Sequence, residues 1–171
     1  MGKNIVLIGF MGTGKSAVGV KLAERLNLEF IDMDREIEKV TGLLITQIFR
    51  RYGEVRFRSE EKLMVQKLGK RNGLVVATGG GAILDKDNIK ALQENGVLIC
   101  LESTPEEILE RVNRKKGTRP LLKKNTTIED IKEMLQQREK YYSCADFRID
   151  TVGKHLDQIV GEIKDNIGYY P

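Results

Sequence analysis

Residues 9–16 read Gly-Phe-Met-Gly-Thr-Gly-Lys-Ser, fill the pattern GxxxxGK(S/T) without a mismatch, and directly follow the apolar run Ile5-Val6-Leu7-Ile8. Each residue type in such a loop has separate work. Gly9, Gly12 and Gly14 permit backbone conformations closed to residues with a Cβ, so that successive N–H groups can converge on one anion. Lys15 is placed to reach the β- and γ-phosphates of a nucleotide, and Ser16 to put its hydroxyl on Mg²⁺. The phosphates then sit at the N-terminus of the next helix, where unpaired N–H groups and the dipole favour negative charge. Gly12, Thr13, Gly14, Lys15, Ser16 and Ala17 are therefore expected to hold the nucleotide. The context agrees: the four apolar residues read as a buried parallel strand, and Ala17, Val18, Leu22, Ala23 and Leu26 recur at helical spacing. A glycine-rich turn matching by chance would not bring strand, loop and helix into register together. The loop points to a bound nucleotide more firmly than to a reaction.

The chain of 171 residues fits one domain, and 40% hydrophobic content suffices for a substantial core. A net charge of +4, from 29 basic and 25 acidic residues, suits a protein that handles anions, but the charges are interspersed. That is a weak nucleic-acid signal, and no nucleic-acid partner is expected. Cys100 and Cys144 belong to no CxxC or Cys/His cluster, so neither a zinc site nor a disulfide framework is supported. Cys100 lies in Val97-Leu98-Ile99-Cys100-Leu101 and reads as a buried structural thiol; Cys144 is ambiguous. The first strand follows Met1-Gly2-Lys3 at once, and no apolar run is long enough to span a bilayer. A cytoplasmic protein with no membrane partner is the expectation.

Beyond the first helix, Leu28-Glu29-Phe30-Ile31 reads as a short strand that runs into Asp32-Met33-Asp34. In extended chain, carboxylates two apart share a face, here at the carboxyl end of a strand, where parallel α/β sheets place their ligands. One carboxylate can hold Mg²⁺ through water and the other accept a proton or hydrogen bond from a substrate hydroxyl. Alternatively, Asp32 or Asp34 merely caps the helix that begins near Arg35. The next stretch is helical, with breaks at Thr41-Gly42 and Gly53. Arg58 and Glu61, three apart, share a helix face and can pair, which by itself reads as a solvated surface pair. Arg50, Arg51 and Arg56 read as surface. Leu74-Val75-Val76-Ala77 is a third strand ending in Thr78-Gly79-Gly80-Gly81. Where many phosphate-loop proteins end this strand with a metal-holding Asp, Thr and glycine stand, which shifts that duty toward Asp32. A plain turn needs one glycine, seldom three, so ligand contact is expected of the triplet.

A helix over Asp85–Glu94 and a strand over Val97–Leu101 complete another αβ step, and Thr104-Pro105-Glu106-Glu107 opens the following helix. Asn113 to Lys124 is basic, contains Gly and Pro, and lacks periodicity. It reads either as a charged surface loop or, given the phosphate loop, as a mobile lid over about 113–124 that brings Arg119 to the transferring group. Nucleic-acid binding by these residues is disfavoured by the lack of aromatic stacking partners. Thr127 caps a long helix through Arg138 to Tyr142. Phe147-Arg148-Ile149 is a last strand, and His155 falls in the final helix, in a surface or capping role.

The ordered set of Gly9 to Ser16, Asp32-Met33-Asp34, Phe57-Arg58-Ser59-Glu60-Glu61, Gly79-Gly80-Gly81, Arg119-Pro120-Leu121-Leu122 and Arg138 to Tyr142 resembles the shikimate kinase family over nearly the whole chain. The resemblance implies transfer of the ATP γ-phosphate to the 3-hydroxyl of shikimate, with ATP as co-substrate and Mg²⁺ as cofactor. It implies that Asp34 binds the ring hydroxyls and positions or deprotonates the nucleophile, and that Arg58 and Arg138 clamp the shikimate carboxylate. Gly79, Gly80 and Gly81 fall on the substrate side, Gly80 and Gly81 through backbone contacts. Ser16 and Asp32 serve the metal, Lys15 and Arg119 the phosphates, and Arg114 stands where the family often stacks an arginine on adenine. The resemblance reverses the surface reading of Arg58 and Glu61, making Arg58 a ligand and Glu61 its orienting partner. The chemistry agrees, since phosphoryl transfer needs positioning, charge stabilisation and a carboxylate near the acceptor.

The competing enzyme is another small-molecule kinase of this architecture, such as a gluconate kinase; the competing non-enzyme is a regulatory module that has kept the fold. The expected fold is α/β: a three-layer α/β/α, nucleoside-monophosphate-kinase-like P-loop kinase, monomeric, with a parallel sheet of about five strands and a lid.

Overall fold

The fold was obtained as a computed structural model, which describes residues 2–114, 120–123 and 125–168. The first strand, β1 (Asn4–Ile8), is buried along its whole length, as an apolar run with no polar alternation requires at the centre of a parallel sheet. It leads through the glycine loop into α1 (Lys15–Leu26) and β2 (Glu29–Asp32). Two helices follow, α2 (Met33–Thr41) and the long α3 (Ile45–Gly69), before β3 (Leu74–Ala77). Then come α4 (Lys86–Glu94), β4 (Gly96–Glu102), α5 (Pro105–Arg114), α6 (Ile128–Tyr142), β5 (Phe147–Asp150) and α7 (Leu156–Ile167).

The five strands are ordered β2-β3-β1-β4-β5, and every adjacent pair is parallel. From central β1 the chain first goes to one edge, fills in β3, and then crosses to β4 and β5 on the other side. The connections thus diverge at the carboxyl ends beside β1, where open α/β sheets leave a crevice for ligands. The strict alternation of a strand divides the core in two. Ile5, Leu7, Val75 and Ile99 pack with α1 and α7 on one face. Val6, Ile8, Val76 and Leu98 pack with α2 through α6 on the other. The expected three layers are the result.

The expected breaks also form. Gly42 ends α2 in the left-handed region at φ 69, and Gly53, at φ 81 and ψ 176, kinks α3 between two helical halves. Thr127 caps α6 by accepting from the Asp130 N–H at 3.2 Å. His155 is exposed and stands just outside α7 in the N-cap position, where its backbone N–H donates to Gln158 Oε1 at 2.8 Å, so the expected surface or capping role holds at the edge of the helix and not within it.

One structural residue escapes the sequence pattern. Asn4 is buried at the amino end of the sheet, donates to Arg71 O at 2.8 Å and accepts from the Leu74 N–H at 3.0 Å. It satisfies backbone groups that the turn before β3 leaves open.

Candidate active site

The glycine loop takes the shape its sequence requires: Gly9, Gly12 and Gly14 have φ of 140, 80 and 95. Gly14 is the N-cap of α1, which has no side-chain cap and no acidic residue in its first turn, but Lys15 instead. An N-terminus without a cap and carrying a cation opposes its own dipole. The arrangement makes sense if an anion completes it. Lys15, 9% exposed, folds its ammonium over the loop and donates to Gly9 O at 2.8 Å and Phe10 O at 2.9 Å. Beneath the loop, burial pushes the Cys100 thiol up to about 12, which leaves it an inert part of the core.

Asp32 takes the capping role that the sequence offered as one alternative, and keeps its second oxygen toward the phosphate loop. Its Oδ1 caps α2, accepting from the Asp34 and Arg35 N–H groups at 3.1 and 3.3 Å. Its Oδ2 accepts from Ser16 Oγ at 2.5 Å. This hydroxyl and carboxylate, joined at the mouth of the phosphate loop, form an all-oxygen set suited to Mg²⁺ held partly through water. Asp34, the second residue of α2, is not the cap and reaches toward Gly79 in the turn after β3.

Two cavities meet at these residues. One, of about 320 Å³, lies over the phosphate loop. The other, of about 530 Å³, opens toward α3 and is lined by Phe49, Phe57, Arg58 and Glu61. Asp32, Asp34, Gly79 and Gly80 line both, so Asp34 stands at the passage between the cavity over the phosphate loop, the expected donor side, and the cavity toward α3, the expected acceptor side.

On the acceptor side, Arg58 Nη1 donates to Glu61 Oε1 at 2.8 Å, and Glu61 is 1% exposed. This is not the solvated pair that helical spacing alone suggests. Burial raises the Glu61 pKa against the pull of Arg58. For Arg58, burial works against the charge, but Glu61 and then Glu54 outweigh it and raise the guanidinium's pKa. The glycine triplet lies between these groups. A Cβ at Gly79 would come 2.8 Å from Glu61 Oε2 and 3.1 Å from Asp34 Oδ1, and one at Gly81 would come 2.5 Å from both terminal nitrogens of Arg58. Gly80 O accepts from Arg138 Nη1 at 3.1 Å. The charged side chains thus close in on bare backbone. Asn88, 2% exposed, fixes that turn by donating from Nδ2 to Ala82 O at 3.0 Å; an Asn in a helix carries no sequence signal for such a role.

Arg138 is 9% exposed, stacks over the Phe10 ring at 5.1 Å and forms no ion pair among the described residues. A buried guanidinium is costly unless an anion joins it, and this one meets the glycine turn at Gly80 as Arg58 meets it at Gly81. Beside it, burial pushes the Tyr142 hydroxyl up to about 12, so it stays neutral.

Of the expected phosphate-side arginines, Arg119 lies outside the described residues, as do residues 115–118 and 124 of the expected lid. Pro120 and Leu121, within the expected lid, line the cavity toward α3. Arg114 borders the donor cavity but is exposed and paired with Glu110. Arg111, which the sequence did not single out, reaches further in, donating to Gly12 O at 3.2 Å and held by Glu107 at 3.0 Å. Its signal was its position one turn before Arg114 on the same helix, short of the basic loop.

The family model described as shikimate kinase matches residues 11–168. Among curated proteins, the chain is 55% identical over 161 residues to a shikimate kinase of Pelotomaculum thermopropionicum, covering 94% of this chain and 93% of that one. It is 50% identical to a shikimate kinase of Desulforudis audaxviator, covering 95% of this chain and 85% of that one. Among solved structures, the shikimate kinase from Acinetobacter baumannii in complex with shikimate superposes with a TM-score of 0.91 at 38% identity, covering 96% of this chain and 92% of that one.

Proposed function

The chain belongs to the shikimate kinase family, and we propose from that premise that it transfers the γ-phosphoryl group of ATP to the 3-hydroxyl of shikimate, yielding shikimate 3-phosphate and ADP. The observation that carries this reading is the pair of arginines on the acceptor side. Arg138 is buried with no ion-pair partner among the described residues, and Arg58 faces the same glycine turn. Together they suit an acceptor that carries a carboxylate.

The phosphate loop, Gly12 through Ala17, holds the nucleotide, and Arg111 and Arg114 flank its outer side. Lys15 shifts from the loop carbonyls to the phosphates as they displace its present contacts. Ser16 and Asp32 would hold Mg²⁺, which would offset charge on the nucleotide's phosphates. Asp34, at the passage between the cavities, orients the acceptor hydroxyl and takes its proton as the bond to phosphorus forms. Arg58 and Arg138 grip the acceptor's carboxylate, Gly80 and Gly81 offer backbone contacts, and Gly79 leaves room for the two carboxylates behind. Arg119 closes from the lid onto the phosphates. The domain acts as a single unit, a monomer in the cytoplasm, without nucleic acid or membrane. No helix among the described residues is long and apolar enough to cross a membrane.

The test is ADP release from ATP and Mg²⁺ with shikimate, gluconate or a nucleoside monophosphate as acceptor. Shikimate alone is expected to elicit turnover, and Asp34→Asn to lower kcat by about 10²–10⁴-fold with the fold intact. Turnover with gluconate in place of shikimate, or with no acceptor at all, overturns the reading.

A further inference from the structure

The edges of the Arg58 guanidinium are all taken up in this structure, and they differ in how readily they can be cleared. Nη1 donates to Glu61, a buried carboxylate fixed three residues along the same helix. The end of the fork faces Gly81, where even a Cβ would come within 2.5 Å of both terminal nitrogens. The remaining edge, formed by Nε and Nη2, is a side on which a guanidinium grips a carboxylate with two parallel bonds. There a single oxygen, Glu54 Oε1, accepts from both nitrogens at 3.3 and 3.2 Å. The Glu54 side chain is 53% exposed, against 26% for Arg58 and 1% for Glu61.

Glu54 therefore makes the long, shared and solvent-exposed contact, the kind that water and salt weaken most. Glu61 makes the short and buried one. An incoming acid can take the Glu54 edge without moving buried structure, whereas either other edge requires the turn or the core of α3 to shift. Glu54 also stands directly after the Gly53 kink, at the first residue of the second helical half, where its side chain has solvent to swing into.

We propose that Glu54 is an internal competitor for the acceptor's carboxylate, holding the open edge of Arg58 until an acid displaces it. This rests on the reading of Arg58 as a carboxylate-binding residue, and it adds a selectivity device to that reading. Replacing one carboxylate by another keeps the charge on Arg58 compensated. A neutral acceptor that removes Glu54 leaves the guanidinium short of an anion, so neutral ring polyols are disfavoured beyond the loss of their own contact.

The experiment measures the dissociation constants of shikimate and of ATP by calorimetry for the full chain and for Glu54→Gln, Glu54→Ala and Arg58→Ala. Arg58→Ala is expected to weaken shikimate binding by more than about tenfold; if it does not, the underlying reading of Arg58 fails, and the proposal with it. Given that loss, Glu54→Gln and Glu54→Ala are each expected to tighten shikimate by about two- to fivefold, the range of an exposed ion pair, and to leave ATP unchanged. Glu60→Gln, which removes the neighbouring pair with Arg56, controls for a general change in surface charge and is expected to shift neither constant. Shikimate binding that is unchanged in both Glu54 variants overturns the proposal. Weaker binding also overturns it, because Glu54 then steadies Arg58 and does not compete with the ligand.

Discussion

Arg138 concentrates the logic of the site in one side chain. Its guanidinium donates to Gly80 O and lies over the Phe10 ring, buried with no ion-pair partner among the described residues. A fold optimised for stability alone would place an apolar side chain there, since removing an uncompensated buried charge is often neutral or stabilising. Arg138→Met is therefore expected to keep unfolding stability within about 1 kcal/mol of the parent while raising the KM for shikimate by more than about tenfold and leaving the KM for ATP nearly unchanged. Urea unfolding and steady-state kinetics on the same preparations check both halves. A large loss of stability would make Arg138 a structural residue.

Among the elements, α3 is the one whose irregularity matters. Its kink sits at Gly53, whose φ of 81 and ψ of 176 fall in a region that residues with a Cβ adopt only under strain. The Phe49 and Phe57 rings contact across the kink at a centroid distance of 4.9 Å, and the bend sets the direction from which Arg58 enters the cavity. Nothing lies within 4 Å of a Cβ placed on Gly53, so Gly53→Ala meets no steric clash and isolates the backbone term. That variant is expected to lose about 1–3 kcal/mol of stability, measured by denaturant unfolding. Because the strain relaxes by turning the second half of α3, the KM for shikimate should rise with little change in that for ATP. The glycine turn after β3 makes a contrast: there the constraint is the space between charged side chains, and φ is not the issue at Gly79 or Gly81.

At the scale of the molecule, the two cavities lie on one crevice at the carboxyl ends of the sheet, bounded by the phosphate loop from β1, α2 from β2 and the glycine turn from β3. Ligands that fill it bridge α1, α2, α3 and α6, so binding should stabilise the whole cooperative unit and not one lobe. At about a hundredfold excess over its dissociation constant, a ligand adds about 2.7 kcal/mol, or roughly 5–10 °C in Tm for a domain of this size. MgATP and shikimate together are expected to raise a single unfolding transition by more than either does alone, as followed by calorimetry. In Arg138→Met the shikimate increment should vanish while that of MgATP remains. Two separate transitions would show that donor and acceptor sides unfold as independent bodies.

Much of this was legible in the chain itself because it depends on local geometry. The phosphate loop needs only eight consecutive residues of the right type, the strand and helix that flank it announce themselves by periodicity, and Gly42, Gly53 and Thr127 end or cap their helices by local backbone preference. The pairing of Asp32 with the helix start was equally visible as one of two readings, and the cap forms through one oxygen while the other turns to Ser16. Tertiary structure alone decided the burial of Glu61, since an i,i+3 pair looks the same on a helix whether that face meets water or the glycine turn. It alone brought Arg111 to Gly12, Asn88 to Ala82 and Asn4 to Leu74, contacts between residues 99, 6 and 70 positions apart. The Asn88 link is close in sequence but depends on the turn that folds back over α4. Which edge of a guanidinium faces an exposed carboxylate and which a buried one is set by the packing of α3 against the glycine turn, and no spacing along the chain encodes it.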